Sequence, residues 1–226
     1  MGYTVRLWAI IYKDLVSEFR TKELFSSMFV FALLVLIIFN FAFSPGTREL
    51  QLVTAPGILW VAFTFAGALG LGRSFALERE KDCIHGLMLC PGDRGIIFLA
   101  KFLGNLLFMG AVEVITLPLF AIFFNVRILP ILPSLTLILF LSTIGFASVG
   151  TLFAAMAAAT KTREVLLPIL LFPVAVPVII AAVKSTGRVL EGRPLSEIAP
   201  WLNMLLSFDV IFLVICYITF EYVVEE

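Results

Sequence analysis

The sequence predicts an all-α integral membrane protein with six transmembrane helices and an N-terminal interfacial amphipathic helix. Of its 226 residues, 61% are hydrophobic and 14% are charged, whereas soluble domains average about 45–50% apolar and about 25% charged residues. Six apolar runs are each long enough to cross a hydrocarbon core, which takes roughly 20 helical residues. The stretches between them are too short for a soluble domain, so we expect residues 1–226 to form one transmembrane domain.

The first element precedes the apolar runs and covers residues 3–20. Large apolar side chains recur there at three- and four-residue steps, with charged residues between them. This apolar set is Trp8, Ile11, Tyr12, Leu15 and Phe19. Trp and Tyr are typical of the headgroup level and basic residues bind anionic lipid, so we expect an interfacial helix. Packing against a neighbouring span would produce the same pattern.

The six apolar runs cover residues 24–43, 53–72, 97–119, 131–159, 165–183 and 203–223. Of the Lys and Arg residues, eleven fall in or beside one set of connecting segments and five in the other. Because basic residues are retained in the cytoplasm, the richer set is predicted to be cytoplasmic, together with both termini. Small residues at four-residue spacing in the second and fourth runs predict close helix packing.

The fifth run contains Pro168, Pro173 and Pro177. Each proline removes a backbone donor and clashes with the preceding turn, so we expect a kinked or broken helix. Broken helices often line cavities in transporters, but prolines also occur in spans that merely pack. Both interpretations stay open.

Two carboxylates fall inside apolar runs, Glu113 in the third and Asp209 in the sixth. A charge at membrane depth costs about 2.5–3.5 kcal/mol, so both are candidates for a membrane path. They are predicted to lie at similar depth and either face a common outer vestibule or reach interfacial water or a hydroxyl separately. Lys101, near the inner end of its run, can snorkel to the interface, so we assign it no special role.

The longest cytoplasmic loop, residues 73–95, begins with a charged cluster and ends with a turn at Pro91. It is either a solvated connector or a docking element for a partner. No phosphate-binding loop of the form G-x-x-x-x-G-K-[S/T] occurs in the sequence, so ATP-driven transport would require a separate ATPase. The opposite face carries an extracytoplasmic loop over residues 184–202.

Cys83, His85 and Cys90 in the cytoplasmic loop are weak candidates for a metal site. They lack a fourth ligand and the C-x-x-C spacing of structural zinc sites, so we expect no metal or bound cofactor. A single histidine leaves no visible nucleophile and base pair, and no G-x-S-x-G string occurs. The net charge of +0 and scattered basic residues also argue against nucleic-acid binding.

Several segments, taken in order, resemble one known family. They are residues 77–80, 87–94, 100–101, 113, 145, 150 and the proline-spaced stretch 167–177. Together they resemble the haem exporter protein B (CcmB) family of cytochrome c maturation permeases. The resemblance implies a six-span ABC-2-type permease that forms a homodimer and couples to a CcmA-like ATPase. It also implies CcmC-like and CcmD-like membrane partners and a CcmE-like haem chaperone.

Carried over by position, the resemblance makes Glu78, Arg79, Glu80 and Pro91 the coupling element that meets the ATPase. Glu113 and the proline-rich span would shape the membrane path. The chain would be a non-enzymatic inner-membrane subunit that drives haem export, or release of the haem–chaperone adduct, with ATP bound at the partner. Two alternatives stay open: a permease for a lipid, polysaccharide or drug, and a membrane scaffold that transports nothing. An intramembrane enzyme has the least support.

Overall fold

The computed structural model describes residues 3–43, 48–80, 95–158, 160 and 162–225. Across these ranges the fold is all-α, without β-strands. Its seven α-helices are α1 (Tyr3–Thr21), α2 (Glu23–Phe43), α3 (Arg48–Glu80), α4 (Gly95–Phe123), α5 (Leu132–Ala158), α6 (Arg163–Leu190) and α7 (Leu195–Glu225), and a short 3-10 helix, Leu129–Ile131, leads into α5. Helices α2 to α7 each contain a stretch long and apolar enough to cross a membrane. The prediction of six spans is confirmed.

Helix α5 lies at the centre of the bundle and packs against α3, α4, α6 and α7. Its middle, residues 145–151, is completely buried. Small side chains allow this close approach, since a β-carbon added at Gly150 would collide with Leu71 of α3. The close packing predicted for the fourth apolar run is therefore confirmed.

Helices α1 and α2 meet at a sharp corner. Lys22 between them has a φ of 56°, in the left-handed region that L-residues seldom adopt. Glu18 is buried, and its Oε1 accepts a hydrogen bond of 2.8 Å from the backbone N–H of Phe25. Because the first N–H groups of a helix have no partner within it, Glu18 stabilises the start of α2.

Helix α1 packs one edge on α4 and α2 and leaves the other exposed. Ile11 is buried, whereas Trp8, Tyr12 and Phe19 are 64%, 67% and 77% exposed. An exposed aromatic face next to six spans is typical of a helix at the membrane interface. Both explanations of the amphipathic pattern, packing against a span and a position at the interface, therefore apply. One part of the apolar face of α1 packs on α4 and α2, and the other part points outward.

Two predicted loops are shorter than expected because their flanking helices continue. Helix α3 runs to Glu80, so residues 73–80 of the predicted coupling loop are helical. Only residues 191–194 of the segment 184–202 lie between α6 and α7, where Gly192 turns the chain with a φ of +73°. Arg188 crosses this turn and donates a 2.7 Å hydrogen bond to the carbonyl oxygen of Glu197. Charged side chains at span ends can reach water without ending the helix, which explains both errors.

The sequence predicts a kinked or broken fifth span, and the break is excluded, because α6 is continuous through Pro168, Pro173 and Pro177. Its buried residues keep helical spacing past all three prolines, at 167, 171, 175, 178 and 182. The prolines lie away from this edge, with Pro173 exposed and the other two half-buried. Packing of the buried edge therefore holds the helix together despite the missing backbone donors.

Candidate polar site within the membrane

Glu113 of α4 is buried at the contact with α5 and is 7% exposed. Its Oε1 lies 2.6 Å from Oγ1 of Thr143, and the same hydroxyl lies 2.7 Å from the carbonyl oxygen of Leu139. A hydroxyl has one proton to donate. Both contacts are therefore hydrogen bonds when Glu113 is protonated and donates to Thr143, which in turn donates to Leu139. This arrangement also avoids burying a charge.

A cavity of about 10 Å³ lies beside Glu113. Its volume matches a single water molecule. Ser142 lines it, and the hydroxyl of Ser142 has no hydrogen-bond partner among the described residues. The remaining wall comes from α3, α4, α5 and α6, through Trp60, Phe63, Thr64, Met109, Thr143, Phe146, Val178 and Ile179. We refer to Glu113, Ser142, Thr143 and this cavity as the polar site; in this arrangement of helices it has no room for an organic cargo.

Asp209 of α7 approaches α5 from another side. It is 5% exposed, and neither carboxylate oxygen has a hydrogen-bond partner within the described part of the chain. A β-carbon at Gly145 would lie 2.6 Å from Oδ1 of Asp209, so the glycine makes room for the carboxylate. Gly145 and Thr143 point about 200° apart on the helix. The two acids thus lie at similar depth but do not share a vestibule, because Asp209 does not line the cavity at Glu113.

Other polar contacts join the spans and were not found from the sequence. Asn105 of α4 donates a 3.0 Å hydrogen bond to Thr151 of α5. Asn105 and Glu113 are eight residues apart, as are Thr151 and Thr143, so two polar contacts about 12 Å apart join these antiparallel helices. Trp60 of α3 similarly donates to Thr186 of α6, at 2.9 Å. Asn and Thr within apolar runs were the only available signal, and pairing them requires knowing which spans touch.

Lys101 is a second feature that sequence reasoning missed. Its side chain is 2% exposed, and Nζ lies 2.8 Å from Oδ2 of Asp14 and 5.6 Å from the ring centre of Phe75. Lys101 therefore does not snorkel to the interface. It instead joins α4 to α1 by a buried ion pair.

The remaining candidate residues fall into three groups. Glu78, Arg79 and Glu80 are the last three residues of α3. Pro168, Pro173 and Pro177 do not line the cavity at Glu113. The described residues hold no group of three or more His, Cys, Asp or Glu side chains placed to bind a metal. Four candidates lie outside the described residues: Cys83, His85, Cys90 and Pro91.

Comparison with known proteins finds relatives of one family over nearly the whole chain. Residues 5–225 match the CcmB protein family. Heme exporter protein B of Pseudomonas aeruginosa is 31% identical over 189 residues, which cover 83% of each chain. The proteins of the same name from Rhodobacter capsulatus and Paracoccus denitrificans are 30% and 28% identical, over 81% of this chain and 84% of theirs. The chain belongs to the CcmB family.

Proposed function

We propose that this chain is the transmembrane subunit of a haem exporter that serves cytochrome c maturation. The family match over residues 5–225 carries the proposal, because it spans every helix of the bundle. Relatives that share over 80% of the chain are named heme exporter protein B. ATP hydrolysis belongs to a separate CcmA-like subunit, since the sequence has no G-x-x-x-x-G-K-[S/T] loop.

The geometry supports a docking end for that subunit. Two ion pairs lie at this end of the bundle: Glu23 of α2 with Arg73 of α3, at 3.7 Å, and Asp14 of α1 with Lys101 of α4. Helix α3 continues from Arg73 to residues 78–80, which is about 10 Å of further helix. A soluble partner would meet this charged end of the helix beyond the apolar span. The excess of Lys and Arg in the segments at this end supports a cytoplasmic position for it and for both termini, in a protein of the inner membrane.

The cargo is haem or the haem–chaperone adduct, handled with CcmC-like, CcmD-like and CcmE-like partners by two copies of this chain. Glu113 and Asp209 are the intramembrane groups we assign to the path, next to the proline-rich helix α6. Because the cavity at Glu113 is about 10 Å³, passage of haem along it requires α3, α4, α5 and α6 to separate. In this proposal haem is the cargo of the complex.

Affinity purification from native membranes tests the proposal. The variant Glu78→Lys plus Glu80→Lys reverses charge at the end of α3, and the matched control reverses Glu221 and Glu225 at the end of α7. Wild type and control are expected to recover an ATPase together with haem-handling subunits, and the α3 variant is expected to lose the ATPase. Wild type that recovers no ATPase at all would refute the transporter assignment.

The closed polar site favours one second candidate, a scaffold that assembles haem-handling partners without moving a cargo. The two functions differ in their need for ATP hydrolysis. A partner ATPase with an inactivated catalytic site should abolish haem delivery by an exporter. It should leave delivery by a scaffold intact.

A further inference from the structure

A groove of about 460 Å³ is lined by residues of α2 and α3. The groove is shallow and open along one side, so much of this volume lies at the lipid-facing surface of the two helices. Four polar residues line one end, and four apolar residues line the rest. The polar residues are Glu23, Ser26, Ser27 and Arg73, and the apolar ones are Val30, Phe31, Leu34 and Leu69.

The dimensions of the groove match one leaflet of a bilayer. From Glu23 to Leu34 it follows α2 for about 16 Å, at about 1.5 Å per residue. Half of a hydrocarbon core is about 15 Å. Arg73 lies within three residues of the end of the predicted span Val53–Phe75. The charges therefore lie at headgroup level, and the apolar walls extend to the depth of an acyl chain.

The charged end carries both signs. Oε2 of Glu23 lies 3.7 Å from Nη1 of Arg73, and the two side chains are 58% and 52% exposed. An exposed pair at this distance adds little to folding stability, so both groups are available to a ligand. Arginine recognises phosphate through its guanidinium fork, and a carboxylate accepts hydrogen bonds from an ammonium group.

We propose that this groove binds a zwitterionic phospholipid whose headgroup carries a phosphate and a primary ammonium, as in phosphatidylethanolamine. Arg73 binds the phosphate, Glu23 binds the ammonium, and an acyl chain lies along Val30, Leu34 and Leu69. An anionic phospholipid without an ammonium leaves Glu23 facing the phosphate. The charge pair therefore selects the zwitterionic lipid over the anionic one.

Native mass spectrometry of the full chain, purified and exposed to equal amounts of phosphatidylethanolamine and phosphatidylglycerol, tests this assignment. We expect wild type to retain phosphatidylethanolamine preferentially. A headgroup contact near the membrane surface is worth about fivefold in binding, so Arg73→Gln should lower retention of both lipids about fivefold. Glu23→Gln should remove the preference and let phosphatidylglycerol bind equally well.

Two further variants separate recognition from general lipid contact. Arg193→Gln breaks a similarly exposed pair with Glu191, at 3.4 Å, and should leave retention of both lipids unchanged. Leu34→Trp should fill the groove and lower retention with both charges intact. Equal retention of the two lipids by wild type would overturn the proposal. So would retention by Arg73→Gln at the wild-type level.

Discussion

The ion pair between Asp14 of α1 and Lys101 of α4 allows a quantitative test of how the helices are held. The Nζ to Oδ2 distance is 2.8 Å, and the side chains are 2% exposed for Lys101 and 14% for Asp14. Removing one partner of a buried pair costs about 3–5 kcal/mol, because the remaining charge stays out of water. Asp14→Asn leaves the more buried charge behind. Lys101→Met leaves a carboxylate that water partly reaches and that Lys13 approaches to 3.2 Å.

We therefore expect Asp14→Asn to lower the free energy of unfolding by about 3 kcal/mol, the lower end of the range. Lys101 keeps its contact with the Phe75 ring, at 5.6 Å, which limits the loss. Lys101→Met should cost about 1 kcal/mol, because the Asp14 carboxylate that remains is partly solvated and an ion pair with solvated charges contributes about this much. For 150–250 residues each kcal/mol lowers Tm by about 2–4 °C, so the expected decreases are about 6–12 °C and about 2–4 °C.

Thermal unfolding of the purified chain, in one detergent and at one scan rate, measures both decreases. The double variant Asp14→Asn plus Lys101→Met should recover most of the loss, since no buried charge remains. Glu191→Gln, in an exposed pair, should change Tm little. A greater loss for Lys101→Met than for Asp14→Asn would refute the reasoning, as would a double variant no more stable than Asp14→Asn.

Substitutions at three other sites, Glu113, the Gly145–Asp209 contact and Glu18, are tested by the same melting assay. Glu113→Gln keeps a donor for Thr143 and should be tolerated. Glu113→Ala removes that donor and leaves the Thr143 hydroxyl only its contact with the Leu139 carbonyl oxygen, so it should cost about 0.5–1.5 kcal/mol, the net value of one hydrogen bond. Equal losses would contradict the proton assignment. Gly145→Ala should cost about 1–3 kcal/mol through its clash with Asp209, and an Asp209→Ala background should relieve that cost. Glu18→Ala should cost about 0.5–2 kcal/mol because it removes the cap on α2. Glu18→Gln is the control, since its side chain keeps an acceptor for the N–H of Phe25. If the Tm of Glu18→Gln is no higher than that of Glu18→Ala, the cap does not contribute to stability.

The number of spans was predictable because long apolar runs have few other stable states in a bilayer. Their ends were less predictable. Residues 78–80 and 184–190 include charged residues at the ends of apolar runs, yet they belong to α3 and α6, because a charged side chain can reach water without ending a helix. Pro168, Pro173 and Pro177 favour a kink or a break for a local reason, and packing of the buried edge keeps α6 continuous.

The polar site was only half predictable. Glu113 stood out as a carboxylate within an apolar run, so its importance followed from the cost of burying it. Its partner Thr143 is 30 residues away and on another helix. Lys101 and Asp14 are 87 residues apart, and Lys101 at a span end has the same sequence pattern whether it snorkels or pairs. Long-range contacts of this kind depend on which helices touch, and no local pattern specifies that.

Helix α3 links the proposed docking end to the polar site without a loop. Residues 78–80 and the cavity-lining Thr64 belong to one helix, about 21 Å apart along its axis. Its proline, Pro56, lies on the other side of Thr64 and so does not interrupt this stretch. A β-carbon at Gly67 would lie 2.9 Å from the ring of Phe146, another residue of the cavity wall, so α3 and α5 are in close contact here. Because such interiors are close-packed and transmit displacement, an ATPase bound at residues 78–80 would act on the polar site through one continuous helix.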